Sequence, residues 1–159
     1  VFPRTVHQRG RQRATLRWIH THTADGRGIV TPRDVLELLT RAKQKQHDEF
    51  IANSGGESDT IIGAPAIRYG LGELSRYKCD TFLKAEFPHF WEKIERFQRG
   101  KTEYTVPALQ RLFGRECDQT CRELESIGVL TQAMSKGHPT YKIPFVFREG
   151  LDVTQGLQE

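Results

Sequence analysis

Between residues 87 and 144 the sequence carries an alternation of helix and strand signals that strongly limits the folds open to the chain. Three segments with helical periodicity are each followed by a glycine, and two short extended segments flank a turn made of Ser, Lys, Gly, His and Pro. Glycine often ends a helix because it adopts the left-handed conformation without steric cost, and Thr and Pro favour helix starts. The predicted elements are a helix at 88–98, an extended piece at 103–105, helices at 106–113 and 116–127, and strands at 129–134 and 140–143 around a turn at 135–139.

This order of elements predicts a winged helix-turn-helix: helix, short strand, helix, turn, helix and hairpin. The apolar pattern agrees, since Phe90, Ile94 and Phe97 share one face of the first helix. The expected fold class is mainly α with a small β-hairpin, in which a helical N-terminal region precedes the winged helix. Such a fold presents its third helix and wing to nucleic acid or docks a protein, and the fold alone does not choose between them.

The remaining sequence suggests four regions: a helical segment at 1–52, a linker at 53–63, the winged-helix domain with preceding helices at 64–150, and a flexible tail at 151–159. In the first region, Thr31 and Pro32 begin a helix that runs to about residue 50. Its inward positions are predicted to be Val35, Leu36, Leu39 and Ala42. In the third region, a short helix at 64–70 is followed by a second helix at 76–86, which Ser75 is predicted to cap.

Positive charge is concentrated in the first third of the chain. The 159 residues carry a formal net charge of +4, and residues 1–50 contain ten Lys and Arg against five Asp and Glu, a net of +5. Two interpretations stay open: a solvated basic face, or a surface that attracts phosphate.

Composition argues against a membrane protein and a disulfide scaffold. No apolar run approaches the roughly 18 residues that span a bilayer, and no secretory signal is recognisable at the start. Three cysteines are an odd number, which favours a reducing compartment. We therefore expect a cytoplasmic protein without a membrane partner.

No pattern in the sequence predicts a catalytic or metal site. Gly100, Lys101 and Thr102 end like a phosphate-binding loop, but Glu95 stands where that loop needs a glycine, and a helix precedes. Cys117 and Cys121 lie one helical turn apart without a second ligand cluster, so a core role is predicted. We expect no catalytic residue, no metal ligand and no cofactor in this chain.

The third helix of the predicted winged helix bears on the choice between DNA and protein. Its exposed positions are predicted to be Glu116, Asp118, Gln119, Arg122, Glu123 and Glu125. Four acids and one arginine suit a polyanion poorly, so docking or packing is favoured over sequence reading. The candidate nucleic-acid contacts are Arg4, Arg9, Arg11, Arg13, Arg111, Arg115, Gln119, Arg122 and Lys136.

Three stretches resemble a known family. TLRWIHTHTADGRGIVTPRDVLELLTRA (15–42), together with ELESIGVLTQ (123–132) and PTYKIPFVFREGL (139–151), resembles the C-terminal lid and winged-helix region of prokaryotic signal-transducing, AAA-related P-loop ATPases. The resemblance implies that Arg33, after Pro32, senses the nucleotide phosphates. The ATPase core is absent from this sequence, and ATP and Mg would bind there. The chain would then be the C-terminal part of a longer protein.

The resemblance implies a non-catalytic regulatory and binding module that couples the nucleotide state of a P-loop ATPase to a protein or nucleic-acid partner. The expected partner is another protein or the module's own ATPase core, and nucleic acid is a further candidate. Two alternatives remain. One is a stand-alone winged-helix transcriptional regulator that binds DNA and dimerises through its N-terminal helices. The other is an RNA- or DNA-binding protein that uses the basic N-terminal segment.

Overall fold

A computed structural model describes residues 2–6, 14–52 and 61–159, and this part of the chain is mainly helical with one small sheet. The helices are α1 (Thr15–Thr23), α2 (Pro32–Ala52), α3 (Ala64–Tyr77), a π-helical segment (Lys78–Leu83), α4 (Lys84–Glu86), α5 (Pro88–Glu95), α6 (Val106–Phe113), a 3₁₀ turn (Gly114–Glu116), α7 (Cys117–Ser126) and α8 (Phe145–Arg148). The strands are β1 (Lys101–Thr105), β2 (Thr131–Ser135), β3 (His138–Lys142) and β4 (Thr154–Gln158). Among the described residues no helix is long and apolar enough to cross a bilayer.

Backbone contacts divide the chain into two compact units. Unit 1 comprises residues 1–23 and 30–74, and unit 2 comprises residues 24–29 and 75–159. The division therefore falls within α3 and not in the predicted linker at 53–63, whose residues 53–60 lie outside the described part. The loop Ala24–Ile29, between α1 and α2, groups with unit 2.

Unit 1 packs α1 and α3 against α2. The fully buried positions of α2 are Leu38 and Ala42, one turn apart, and α3 approaches this face at Gly70. A Cβ atom at Gly70 would overlap the carbonyl oxygen of Leu38 and lie 3.2 Å from the Cβ of Ala42. Leu36 was predicted to face inward, but its side chain is 65% exposed, because the buried face of α2 is set by Leu38 and Ala42.

The helix that contains Ser75 is continuous, so the predicted separate helices at 64–70 and 76–86 are wrong. Helix α3 runs through Ser75 into the π-helical segment and α4. The hydroxyl oxygen of Ser75 accepts the main-chain N–H of Gly150 at 2.8 Å, and Ser75 is fully buried. Its side chain therefore satisfies a donor from a distant turn and does not cap a helix.

The sheet of unit 2 has the strand order β2-β3-β1-β4. Strands β2 and β3 form the predicted hairpin, and Lys136 and Gly137 at its tip have φ angles of 50° and 81°. Two consecutive positive φ values are typical of a type I′ turn, which matches the twist of a hairpin. Strand β1 pairs antiparallel with β3 and parallel with β4.

The segment at 151–159 was predicted to be a flexible tail, but it contains strand β4. Main-chain pairing along β1 holds it, and the hydroxyl of Thr102 accepts the N–H of Gly156 at 3.2 Å. The polar sequence of β4 lacks the apolar alternation that marks a strand, because its stabilisation comes from main-chain bonds.

Helices α5, α6 and α7 enclose the core of unit 2. Thr105 caps α6, since its hydroxyl accepts the N–H of Ala108 at 3.3 Å. The ring of Phe97 meets the rings of Tyr104 and Phe113 edge-on, with centroids 5.1 and 5.6 Å apart. Such edge-to-face packing adds to the burial of apolar surface.

Thr120 on α7 gives a test of this core. It is fully buried, and its hydroxyl has no hydrogen-bond partner in the described part of the chain. An unsatisfied buried hydroxyl is unfavourable, so Thr120→Val should leave stability unchanged or raise it by about 1 kcal/mol. Thr120→Ser keeps the hydroxyl and loses a methyl, so it should cost about 1 kcal/mol. Urea unfolding measures both, and a clear loss in Thr120→Val would show that the hydroxyl has a partner.

Candidate macromolecule-binding surface

Helix α7 divides cleanly into a buried and an exposed side. Cys117, Thr120, Cys121 and Leu124 are buried. Helical spacing places Gln119, Arg122 and Ser126 opposite them, and all three are exposed. The outermost stripe of the helix therefore carries one arginine and no acid, and the acids lie along its flanks.

Two of the four acids are engaged by neighbouring side chains. Glu123 accepts from the Lys93 ammonium at 2.6 Å and from the Gln119 amide at 2.8 Å. The bond from Lys93, and then that from Gln119, lower the pKa of Glu123. Glu125 accepts from the amide of Gln132 at 3.3 Å.

The other two acids, Glu116 and Asp118, are exposed at the N-terminal end of α7. Carboxylates are favourable there because the helix dipole places partial positive charge at that end. These acids therefore have a structural reason to be present. They also repel any phosphate that approaches Arg115 or Arg122.

The structure brings some of the predicted nucleic-acid contacts to α7 and the hairpin and leaves others elsewhere. Arg115 is exposed in the 3₁₀ turn before α7, and Lys136 is exposed at the hairpin tip. Arg111 instead donates to the main-chain oxygen of Glu159 and lines a separate cleft. Arg4 is exposed in unit 1, and Arg9, Arg11 and Arg13 lie outside the described residues.

The cysteines of α7 belong to the core. The two sulfur atoms of Cys117 and Cys121 are 4.0 Å apart and buried. Burial raises the pKa of Cys121 to about 12, so its thiol stays protonated and is a poor nucleophile. Within the described ranges no group of three or more His, Cys, Asp or Glu side chains could hold a metal ion.

Arg33 lies at the second position of α2 and is exposed. The preceding cap is formed, since the hydroxyl of Thr31 accepts the N–H of Asp34 at 3.1 Å. In the described part of unit 1 the guanidinium has no hydrogen bond or ion pair. Leu36, one turn further along, is also exposed, so the two side chains offer an open surface at the start of α2.

The loop Ala24–Ile29 is a functional candidate that the sequence patterns did not predict. The carboxylate of Asp25 accepts the N–H groups of Arg27 and Ile29, both at 2.9 Å, and pairs with the guanidinium of Arg27 at 2.8 Å. The same guanidinium donates to the carbonyl oxygen of Ser126 at 3.2 Å. Arg27 thus supplies a cation and a donor at the C-terminal end of α7, where both are favourable.

Two glycines allow this loop to lie directly against the end of α7. Gly26 donates to the carbonyl oxygen of Gly128 at 2.7 Å, and a Cβ at Gly26 would overlap the carbonyl oxygen of Leu130. A Cβ at Gly128 would lie 2.6 Å from a carboxylate oxygen of Asp25. The Asp-Gly-Arg-Gly sequence was the available signal, but its partners are about a hundred residues away.

The chain matches no protein-family model, no curated protein and no solved structure. Unit 2 offers a weakly charged helix and hairpin, and unit 1 offers an open arginine.

The close contact at Gly26 predicts an asymmetry between neighbouring glycines. Gly26→Ala forces a methyl into main-chain atoms and should cost about 3 kcal/mol, because a backbone cannot move as a side chain can. Gly28 has a φ of 78° and open space around its Cβ, so Gly28→Ala should cost only about 1 kcal/mol of left-handed strain. Urea unfolding gives both values, and NMR shifts of Ser126 and Gly128 should move only in Gly26→Ala. Equal costs would contradict the docking of the loop on α7.

Proposed function

We propose that unit 2 is a winged-helix binding module without a catalytic centre, and that unit 1 is the lid-like region of a prokaryotic signal-transducing P-loop ATPase. The main support is the order α5, β1, α6, α7, β2, β3 together with the pairing of β1 and β3. In a winged helix, the strand between the first two helices completes a small sheet with the hairpin that follows the third helix. The pairing in unit 2 follows that arrangement.

In this proposal Arg33 is the nucleotide sensor. Its exposure and its lack of a described ion-pair partner leave the guanidinium available to phosphate oxygens of a nucleotide bound in an ATPase core. ATP and Mg would be held by that core, and this chain would contribute the cation. Exposed Leu36 on the same helix would pack against the core beside it.

The loop Ala24–Ile29 gives this proposal a route for coupling. It follows α1 directly and is joined to α2 through residues 30 and 31, so Arg33 lies four residues beyond its last residue. Since Gly26 and Arg27 fix the loop to the end of α7, a shift of the start of α2 would pull on α7. Nucleotide binding near Arg33 would thereby alter the exposed side of α7, on which this proposal places the partner.

The partner favoured by the surface of α7 is a protein. Glu116 and Asp118 flank the cations that would contact DNA phosphates, and the Gln119 amide already bonds Glu123. A helix that reads bases normally has free amide and guanidinium donors in excess over acids. One observation supports the alternative of a stand-alone DNA-binding regulator: the outermost stripe of α7, with Arg122, is free of acids.

A matched pair of arginine variants tests the sensor role. Arg33→Ala and Arg41→Ala remove the same side chain from exposed positions of α2, and Arg41 makes only a surface pair with Glu37 at 2.8 Å. Each should change the stability of this chain by no more than about 0.5 kcal/mol, measured by urea unfolding. In a protein that carries the ATPase core, only Arg33→Ala should weaken the response to ATP, since it removes a cation near the phosphates. Unfolding by Arg33→Ala, or an equal ATP response in both variants, would rule the sensor out.

Duplex DNA should bind weakly and with a steep dependence on salt, because the available contacts are to phosphates. The double variant Glu116→Gln and Asp118→Asn should tighten binding of random duplex. The control, Asp48→Asn and Glu49→Gln on α2, makes the same change in net charge and should not. Fluorescence anisotropy at two salt concentrations measures this. Tight, sequence-selective binding by the wild type at high salt would instead support a transcriptional regulator.

A further inference from the structure

A cleft of about 280 Å³ opens in unit 2 beside the end of α5, β1 and α6. Its lining includes two arginines, Arg96 and Arg111, together with Tyr104 of β1 and Gln158 of β4. No acidic side chain lines it among the described residues. The cleft therefore collects hydrogen-bond donors and positive charge from several elements.

The two guanidinium groups are held in place by main-chain acceptors. Arg96 donates to the carbonyl oxygen of Leu112 at 3.0 Å and lies 5.7 Å from the centroid of the Phe113 ring. Arg111 is exposed and donates through one nitrogen to the main-chain oxygen of Glu159. Each guanidinium has more N–H donors than these bonds use.

Neither arginine is neutralised by a carboxylate side chain in the described part of the chain. Two other cations of unit 2 are paired with carboxylates: Lys93 with Glu123 at 2.6 Å, and Lys142 with Glu103 at 3.4 Å. Arg96 thus has no carboxylate partner in the described part of the chain, whereas Arg111 shares its charge with the main-chain carboxylate of Glu159.

Tyr104 adds a neutral donor. Its oxygen accepts the N–H of Lys101 at 3.0 Å, and burial raises the pKa of Tyr104, so the hydroxyl keeps its proton at neutral pH. Gly100 makes this position possible, because a Cβ there would overlap the Tyr104 hydroxyl. Tyr104 therefore keeps a protonated phenol, and it is one of the residues that line the cleft.

We propose that this cleft binds a phosphate group of a phosphomonoester or a phosphodiester. Guanidinium groups match phosphate oxygens with paired hydrogen bonds, and a charged acceptor makes each bond stronger than a neutral one. A phosphate offers acceptors to both arginines and to the phenol at once, whereas a carboxylate has only two oxygens to share among them. The site depends neither on the sensor role of Arg33 nor on the partner of α7.

The direct probe is inorganic pyrophosphate added to the full chain, with sodium chloride of equal ionic strength as the reference. Proton–nitrogen NMR should show saturable shifts at the main-chain N–H groups of Gly100 and Lys101 and at the side chain of Arg111. Chloride should not produce them.

Variants of Arg111 separate a site from general charge. Arg111→Gln should weaken pyrophosphate binding by about tenfold, since it removes charged hydrogen bonds. Arg111→Lys keeps the charge but loses the planar fork of N–H donors. Its affinity for pyrophosphate should therefore lie between that of the wild type and that of Arg111→Gln. The control is Arg99→Gln, which makes the same charge change at a residue that does not line the cleft. The Arg99 side chain is 88% exposed and lies 4.0 Å from the carboxylate of Asp152. It should bind as the wild type does.

Competition identifies the source of the phosphate. An oligothymidylate that displaces pyrophosphate and loses affinity in Arg111→Gln indicates a nucleic-acid backbone, and one that does not compete indicates a small phosphorylated ligand. Both outcomes support a phosphate site. Equal pyrophosphate affinity in Arg111→Gln and Arg99→Gln, tighter binding of citrate, or no saturable shift in a folded wild type would overturn it.

Discussion

Strand β1 is the element on which the rest of unit 2 depends, because it is paired along both edges. Thr102 and Tyr104 are buried on one face of the strand. On the other face, Glu103 accepts a hydrogen bond from the Thr140 hydroxyl at 2.6 Å and pairs with the Lys142 ammonium at 3.4 Å. The strand thus fixes the hairpin on one side and β4 on the other. It also ends at Thr105, whose cap begins α6, so five residues set the direction of a helix and the position of two strands.

A second constraint acts through main-chain contact. At Gly26 the loop between α1 and α2 meets the chain just after α7 so closely that no side chain fits, and the Asp25–Arg27 pair keeps the loop in shape. The ion pair is partly exposed, with the arginine side chain 48% exposed, so its own contribution is small. The specificity of this contact therefore lies in the glycines and in the bond from Arg27 to the carbonyl of Ser126.

Local chemistry explains which elements could be predicted. Thr105, the glycine after α6 and the Lys136-Gly137 turn each act within a few residues, so the helices and the hairpin of unit 2 followed from the sequence. The role of Ser75 was predicted wrongly because its hydrogen-bond partner, the N–H of Gly150, is 75 residues away. A local sequence pattern does not contain such a partner. Strand β4 was missed for a related reason: it is held by main-chain bonds to β1, and these leave no side-chain signature.

The candidate surface shows the same limit, since charges can be counted in a sequence but their partners cannot. Four acids on α7 were expected to oppose a polyanion, yet Glu123 is bonded by Lys93 from α5, thirty residues away, and Glu125 by Gln132. Only Glu116 and Asp118 remain open, at the end of the helix where they stabilise it. Glu125 keeps its negative charge because the Gln132 amide is neutral, so Lys93, Arg115 and Arg122 stand against four acids and α7 is weakly negative. A surface with so little net charge attracts other molecules weakly over distance, so shape and hydrogen bonds would have to select any partner of α7.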